Sequence, residues 1–283
     1  MKSYIIREPN EDEILRTIKV FLLAFARTSY NQLEAEKNVW TYLIKKNIAR
    51  FLIAVKDDKI IGLGGIFLFH EVASIGYMGV LSAYRNQGVG SRIFEKLMQL
   101  GLNLGIKTTM LYASKLGEPI YRKFGFQRNY YAYMHSFPKL IPKIDIKNKE
   151  LKEINFLPDW VIKLDKEAMG FNRAQYLKVR LALGSKLFII KNEGYALVSK
   201  ILSQVRLGPL IANNLDAAIH FIKKSILLGV ENIIIPYHPL LQHNFHSLFQ
   251  RTKRGEPNLK MFHGQDISVK LDYLYAIGSY SKG

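Results

Sequence analysis

Residues 75–126 read IGYMGVLSAYRNQGVGSRIFEKLMQLGLNLGIKTTMLYASKLGEPIYRKFGF, and this stretch decides how the rest of the chain is understood. Ile75 to Leu81 is an apolar, strand-like run holding Gly76 and Gly79. Glycine within a strand marks a bulge or a place where a ligand lies against the backbone. Next comes Arg85-Asn86-Gln87-Gly88-Val89-Gly90, whose two glycines let the chain turn sharply and let its backbone approach a partner. Ile93, Phe94, Leu97, Met98 and Leu100 then recur at helical spacing, leaving Arg92, Glu95, Lys96 and Gln99 for solvent. The first-turn N–H groups of that helix have no intrahelical acceptor, and the macrodipole places about half a positive charge there. A loop and helix start of this kind suit an anion such as a diphosphate. Ser91 and Arg92 add a hydroxyl donor and a charge. Thr108–Ala113 reads as a further strand, and Gly117–Phe124 as a helix closed by Gly125.

Outward from this stretch the order of elements is regular. Tyr4–Arg7 is a first strand, and Asn10 with Glu13 three residues on makes a cap-like start for a helix over Ile14–Ala26. A helix over Leu33–Lys46 and a strand over Phe51–Val55 follow; Asp57-Asp58 turns the chain back into a long strand, Ile60–Phe69. After a strand over Gln127–Ser136, the charged, proline-interrupted segment 138–149 reads as a linker between domains 1–137 and 150–283. The second half repeats the order in outline: a strand and helix through Asp159–Met169, a helix over Ala174–Leu183, strands over Lys186–Lys191 and Tyr195–Ser199, the run Val205–Ala212, a helix over Leu215–Leu228 and a strand over Asn232–Tyr237. Where the first half has Arg-x-x-Gly-x-Gly, the second has Ile211-Ala-Asn-Asn-Leu-Asp-Ala-Ala218, with no glycine to admit a diphosphate.

The succession of strand, Arg85-x-x-Gly88-x-Gly90, helix, the strand ending Leu111-Tyr112-Ala113-Ser114, and Tyr121-Arg-Lys-Phe-Gly125-Phe126 resembles the GNAT (Gcn5-related) N-acetyltransferases over roughly residues 1–137. Through Gly170-Phe-Asn-Arg173, Gly194-Tyr195 and Leu207-Gly-Pro-Leu-Ile-Ala212, the second half resembles the C-terminal domain that accompanies some of these enzymes. The resemblance implies an α/β (α+β) chain of tandem GNAT-like domains, each a mixed, twisted, mostly antiparallel sheet flanked by helices. It implies acetyl-CoA as acyl donor, its diphosphate cradled by Arg85, Asn86, Gln87, Gly88, Val89, Gly90 and Ser91. The pantetheine arm would pair with backbone around Gly79 to Leu81, with donors at Val80 and Leu81 polarising the thioester carbonyl. Tyr121 would return a proton to the leaving thiolate, a role open to a phenol with pKa about 10. Ser114 stands where the family often carries asparagine. In the second domain, Asn172, Arg173 and Tyr195 are candidate substrate contacts, although Asn172 equally suits a helix cap.

Composition narrows the chemistry. With no cysteine, disulfides, thiolate metal sites and an acyl-cysteine intermediate are excluded, so acetyl transfer to a primary amine would proceed by direct attack in a ternary complex. No apolar run approaches the roughly 20 residues that span a bilayer, which predicts a cytoplasmic protein without a membrane partner. The net charge of +18 could steer polyanionic CoA or be an ordinary lysine-rich surface. No nucleic-acid module accompanies Arg251-Thr-Lys-Arg254, the densest basic cluster. His70 and Glu71, between two strands, are candidates for a general base; His238, His243, His246 and His263 cluster loosely without the companions of a zinc site. A small-molecule amine is the expected acceptor, ahead of a protein. The alternative is a non-catalytic acyl-CoA-binding or regulatory protein.

Overall fold

The computed structural model describes residues 4–25, 33–137, 150–201, 204–237 and 252–281. The linker 138–149 and the residues His238, His243, His246 and Arg251 lie outside the described residues. Two compact units divide the chain: one runs to Leu111 and includes His263–Gln265, and the other holds Tyr112–Phe262 and Asp266–Ser281.

In the first unit, β1 (Ile5–Arg7), β2 (Ala49–Lys56), β3 (Lys59–Phe69), β4 (Val72–Val80) and β5 (Thr108–Ala113) lie side by side in chain order. The first three pairings are antiparallel and β4–β5 is parallel. Between β1 and β2 come α1 (Ile14–Ala24) and α2 (Leu33–Lys45); α3 (Val89–Asn103) is the crossover that a parallel β4–β5 pair requires. The Asp57-Asp58 turn has φ of +48° and +58°, both left-handed, as a two-residue hairpin turn needs. Glu13 closes the cap anticipated at Asn10, accepting from the Asn10 N–H at 2.9 Å, and also binds the Arg7 guanidinium. Its carboxyl is thereby held down at about 2. The apolar face of α3, with Ile93, Phe94 and Leu97 buried, rests on a glycine floor: a Cβ at Gly64 would lie 2.8 Å from Leu97 and 2.9 Å from Ile93.

The second unit repeats that plan. β7 (Lys152–Ile154), β8 (Lys186–Ile190), β9 (Gly194–Ile201), β10 (Gln204–Ala212) and β11 (Asn232–Pro236) follow one another with three antiparallel pairings and then a parallel one. Two helices, α5 (Asp159–Met169) and α6 (Ala174–Ala182), again separate the first two strands, and α7 (Leu215–Leu227) crosses over between β10 and β11. Phe221 and Ile222 of α7 are buried in a core with Phe188, Val198, Leu207 and Ile233.

The compact units do not part at the linker. α4 (Glu118–Lys123) and β6 (Gln127–Ser136) precede residue 138 in the chain, yet both lie in the second unit. There β6 pairs antiparallel with β11 (Ala132–Ser136 against Asn232–Pro236), with β12 (Lys253–Arg254), and with β13 (Asn258–Gly264). Strand pairing, which chain order does not reveal, sets this partition. The last strand, β14 (Leu274–Ala276), pairs with β10. Residues 252–281, for which the sequence suggested no element, thus hold three strands.

Candidate functional site

The register of β3 against β4 slips around Gly64: Leu63 faces Gly79 and Gly65 faces Gly76, so Tyr77 and Met78 bulge against one residue. Tyr77 adopts φ +56°, and its ring packs edge-on to Trp40 with centroids 5.0 Å apart. Bulges bend a strand and increase its twist. Pairing of β4 with β5 covers only Val72–Ile75 against Thr108–Leu111. Past the bulge, the Leu81 N–H donates to the Ile61 carbonyl at 3.0 Å, and Val80 sits opposite Gly62. By the alternation of an antiparallel ladder, the Val80 N–H and carbonyl therefore point away from β3. The Leu81 carbonyl accepts from the Tyr84 N–H at 2.8 Å, so both backbone groups of Leu81 are engaged. Of the two donors expected there, only Val80 remains available.

Arg85 anchors the loop that follows. Its Nε donates to the Val80 carbonyl at 3.0 Å and its Nη2 to the Ala24 carbonyl at 2.7 Å, tying the loop to β4 and to the end of α1. Gln87 donates back to the Ala83 carbonyl at 3.0 Å. These two side chains shape the loop and leave its surface to the backbone. Asn86 has φ +60° and Gly88, the N-cap of α3, has φ +79°. A Cβ at Gly88 would meet nothing within 4 Å, and one at Gly90 only Val80 Cγ2 at 3.5 Å. The first α3 bond from this region is Arg92 N–H to the Gly88 carbonyl, 3.0 Å. Among the described residues, the N–H groups of Asn86 through Ser91 have no backbone acceptor outside the helix, and the first helical turn supplies none. Six consecutive N–H groups around an open, left-handed glycine are thus left for an acceptor outside the backbone, and an anion is the partner that a helix start of this kind suits.

Tyr121 lies on α4 in the second unit, its ring 6.2 Å from that of Phe126. Burial pushes its phenol up to about 12, so it stays protonated across the neutral range. Ser114 accepts from the Gly117 N–H at 3.2 Å and so helps open α4. His70 and Glu71 fall at the β3–β4 turn, the opposite end of β4 from Val80, and β4 is about 26 Å long. Glu71 is already paired with Lys107 at 2.5 Å, which holds its carboxyl low. As bases acting beside Val80, both are displaced by the length of the strand.

In the second unit the corresponding wedge, the opening where two parallel strands part beyond a bulge, is filled. Leu207 faces Val198 and Leu210 faces Ala196, so Gly208 and Pro209 bulge as Tyr77 and Met78 do. Pairing of β10 with β11 stops at Leu207–Ile233. Into the opening runs β14, paired with β10 at Leu210 and Ile211, while the Ile277 N–H donates to the Ile234 carbonyl at 2.9 Å. The chain's own strand satisfies the backbone groups that a ligand would need.

Of the candidate substrate contacts, Asn172 is a cap: its Oδ1 accepts from the Ala174 N–H at 2.9 Å. Arg173 and Tyr195 are wholly buried, and both bind Asp165, Arg173 through Nε at 3.1 Å and Nη2 at 2.9 Å. Lys260 on β13, which the sequence reading passed over, is 2 % exposed with its ammonium 5.1 Å above the Tyr130 ring. A lysine set between Leu259 and Met261 was the available signal. Among the described residues no group of three or more histidines and carboxylates could hold a metal, and no helix is long and apolar enough to cross a membrane.

A bulged β4, an anion-accepting loop and the parallel crossover are the parts of an acyl-CoA-dependent transferase. GNAT acetyltransferase domain models match residues 47–128 and 161–276, together most of the chain, which belongs to the GNAT acetyltransferase family as a tandem protein. It is 28% identical over 243 residues to the uncharacterised N-acetyltransferase YitH of Bacillus subtilis, covering 79% of this chain and 81% of that one. It is also similar to the crystal structure of a proposed acetyltransferase from Pyrococcus horikoshii: TM-score 0.86, 28% identity, all of this chain and 97% of the other. A GCN5-related N-acetyltransferase from Anabaena variabilis shares the fold at TM-score 0.61 and 14% identity, over 95% of this chain and 74% of its own. The protein is a GNAT-type N-acetyltransferase, and acetyl-CoA is its acyl donor.

Proposed function

We propose that this enzyme acetylates a primary amine on a small molecule by direct attack on the bound thioester, with the N–H groups of Asn86 through Ser91 as the diphosphate cradle. The carrying observation is the run of donors without acceptors around Gly88, where the absence of any atom near a Cβ leaves room for an anion to approach. The donor supplies an activated acetyl group; the protein's part is to hold it and to manage charge. The Val80 N–H, directed away from β3, donates to the thioester oxygen as negative charge gathers there. As the new C–N bond forms and the C–S bond breaks, the departing sulfur takes up a proton and the attacking nitrogen loses one to solvent; the resemblance to the family assigns the first proton to the Tyr121 phenol, which solvent then restores. The lack of any cysteine supports direct transfer over an acyl-enzyme formed on a thiol. A cytoplasmic site of action belongs to the same reading, since acetyl-CoA-dependent transfer there needs no export of the donor.

Calorimetric titration with acetyl-CoA tests it. Binding by wild type that is abolished in a folded Gly88→Glu, Gly90→Glu variant is the expected result. Undiminished binding in that variant would place the diphosphate elsewhere.

A further inference from the structure

The second unit buries more positive than negative charge. Arg173 spends Nε and Nη2 on Asp165, whose carboxylate also accepts from the Tyr195 hydroxyl. Arg173 Nη1 is buried with no hydrogen-bond partner. Lys260, equally buried, makes no ion pair among the described residues; its ammonium rests on the Tyr130 ring, and the exposed Asp266 carboxylate acts on it as an opposing charge. The two cations feel each other: with burial first and Arg173 second, the Lys260 ammonium is brought down to about 7. Arg173 also acts on the Tyr112 and Tyr130 phenols, which share a hydrogen bond at 2.9 Å. Tyr112 lies against Tyr280, centroids 5.7 Å apart, and both of these rings are half-buried while Tyr130 is 7 % exposed. The cluster therefore joins two buried cations to a run of tyrosines of which Tyr112 and Tyr280 are partly exposed.

Unpaired buried donors on a charged group are costly, and a buried net charge more so. Structures keep such an arrangement where a ligand completes it. With Lys260 protonated, one carboxylate against two cations leaves an excess of one; a monoanion cancels it and by its own charge favours the protonated lysine, and a phosphate dianion overshoots.

We infer that Arg173 Nη1 and Lys260 Nζ form a binding site for the carboxylate of a small ligand, whose apolar body lies against the rings of Tyr112, Tyr130 and Tyr280. The site belongs to the second unit alone and does not depend on acetyl transfer.

The test is thermal denaturation and calorimetry of the full chain, without acetyl-CoA, against phenylacetate and 3-phenylpropionate, with phenylacetamide and inorganic phosphate as contrasts. The two carboxylates should raise the melting temperature and bind; the amide and phosphate should not. Arg173→Met would strand Asp165 and risk unfolding, so Lys260→Met is the informative variant: carboxylate binding should weaken at least tenfold in a protein that still melts cooperatively. Absence of binding by both carboxylates, equal binding by the amide or by phosphate, or unchanged affinity in Lys260→Met would each overturn the inference. Because acetyl-CoA is titrated separately, a loss of that binding would count against the proposed cradle and leave this site standing.

Discussion

Replacing Lys260 by methionine should stabilise the protein, by an amount that pH controls. Methionine keeps the length and much of the volume of the side chain and removes only the charged end. In the fold the ammonium titrates at about 7, against 10.5 for a free lysine, chiefly because burial strips its water. A cation whose folded pKa is depressed opposes folding wherever the unfolded chain is protonated. At pH 7 the folded state holds about half a proton and the unfolded state a whole one, and linkage gives a penalty of about 4 kcal/mol. By pH 10.5 the penalty falls to a few tenths of a kcal/mol, since lysine is then losing its proton in both states. The sign is thus an increase in wild-type stability as pH rises from 7 to 10.5. Tyr112 and Tyr130, whose phenols burial raises, work the other way above pH 10, but they do so in both proteins and cancel in the difference. Urea unfolding of wild type and Lys260→Met at half-unit steps from pH 6 to 10.5, with equal m-values, measures that difference. A gain under 1 kcal/mol at pH 7, or one that stays constant with pH, would refute the account of Lys260 as a desolvated cation. Phenylacetate should narrow the gap at pH 7 by stabilising wild type more than the variant.

Two further outcomes follow from single contacts. Tyr121→Phe should lower kcat by about a hundredfold while the acetyl-CoA Kd changes less than twofold, as expected for a general acid; unchanged turnover would reduce Tyr121 to a packing residue. Asp165→Asn removes the carboxylate that Arg173 and Tyr195 share and leaves a buried cation unpaired, with an expected loss of about 3–5 kcal/mol in chemical denaturation; a loss below 1 kcal/mol would mean that the guanidinium finds another partner.

Local rules carried much of the architecture. The two left-handed residues of the Asp57-Asp58 hairpin, the cap at Asn10 and Glu13, and the helical spacing of Ile93, Phe94 and Leu97 all depend on neighbours within a few residues, and the observed elements begin or end within about three positions of their expected bounds. The loop at Gly88 was legible for the same reason, because an αL glycine before a helix leaves its mark in the local sequence. Leu81 was misread because ladder alternation sets which strand residues turn their N–H groups outward, and alternation depends on the bulge at Tyr77 and Met78. The strand 274–276 was missed because Leu-Tyr-Ala is too short to signal itself and exists only where β10 and β11 separate.

By itself the sequence determined that the chain folds as two related halves, that one half keeps a glycine-bearing loop before its crossover helix and the other does not, and that no cysteine of the protein takes part in its chemistry. Tertiary structure alone decided that β6 pairs with β11 and β13, that β14 fills the second wedge, and that Arg173 and Lys260 lie within electrostatic reach of one another. The division has a physical cause. Helix periodicity, caps and tight turns are settled by forces acting over a few residues, whereas strand partners and buried charges are chosen by groups far apart in the chain that only the completed fold brings together.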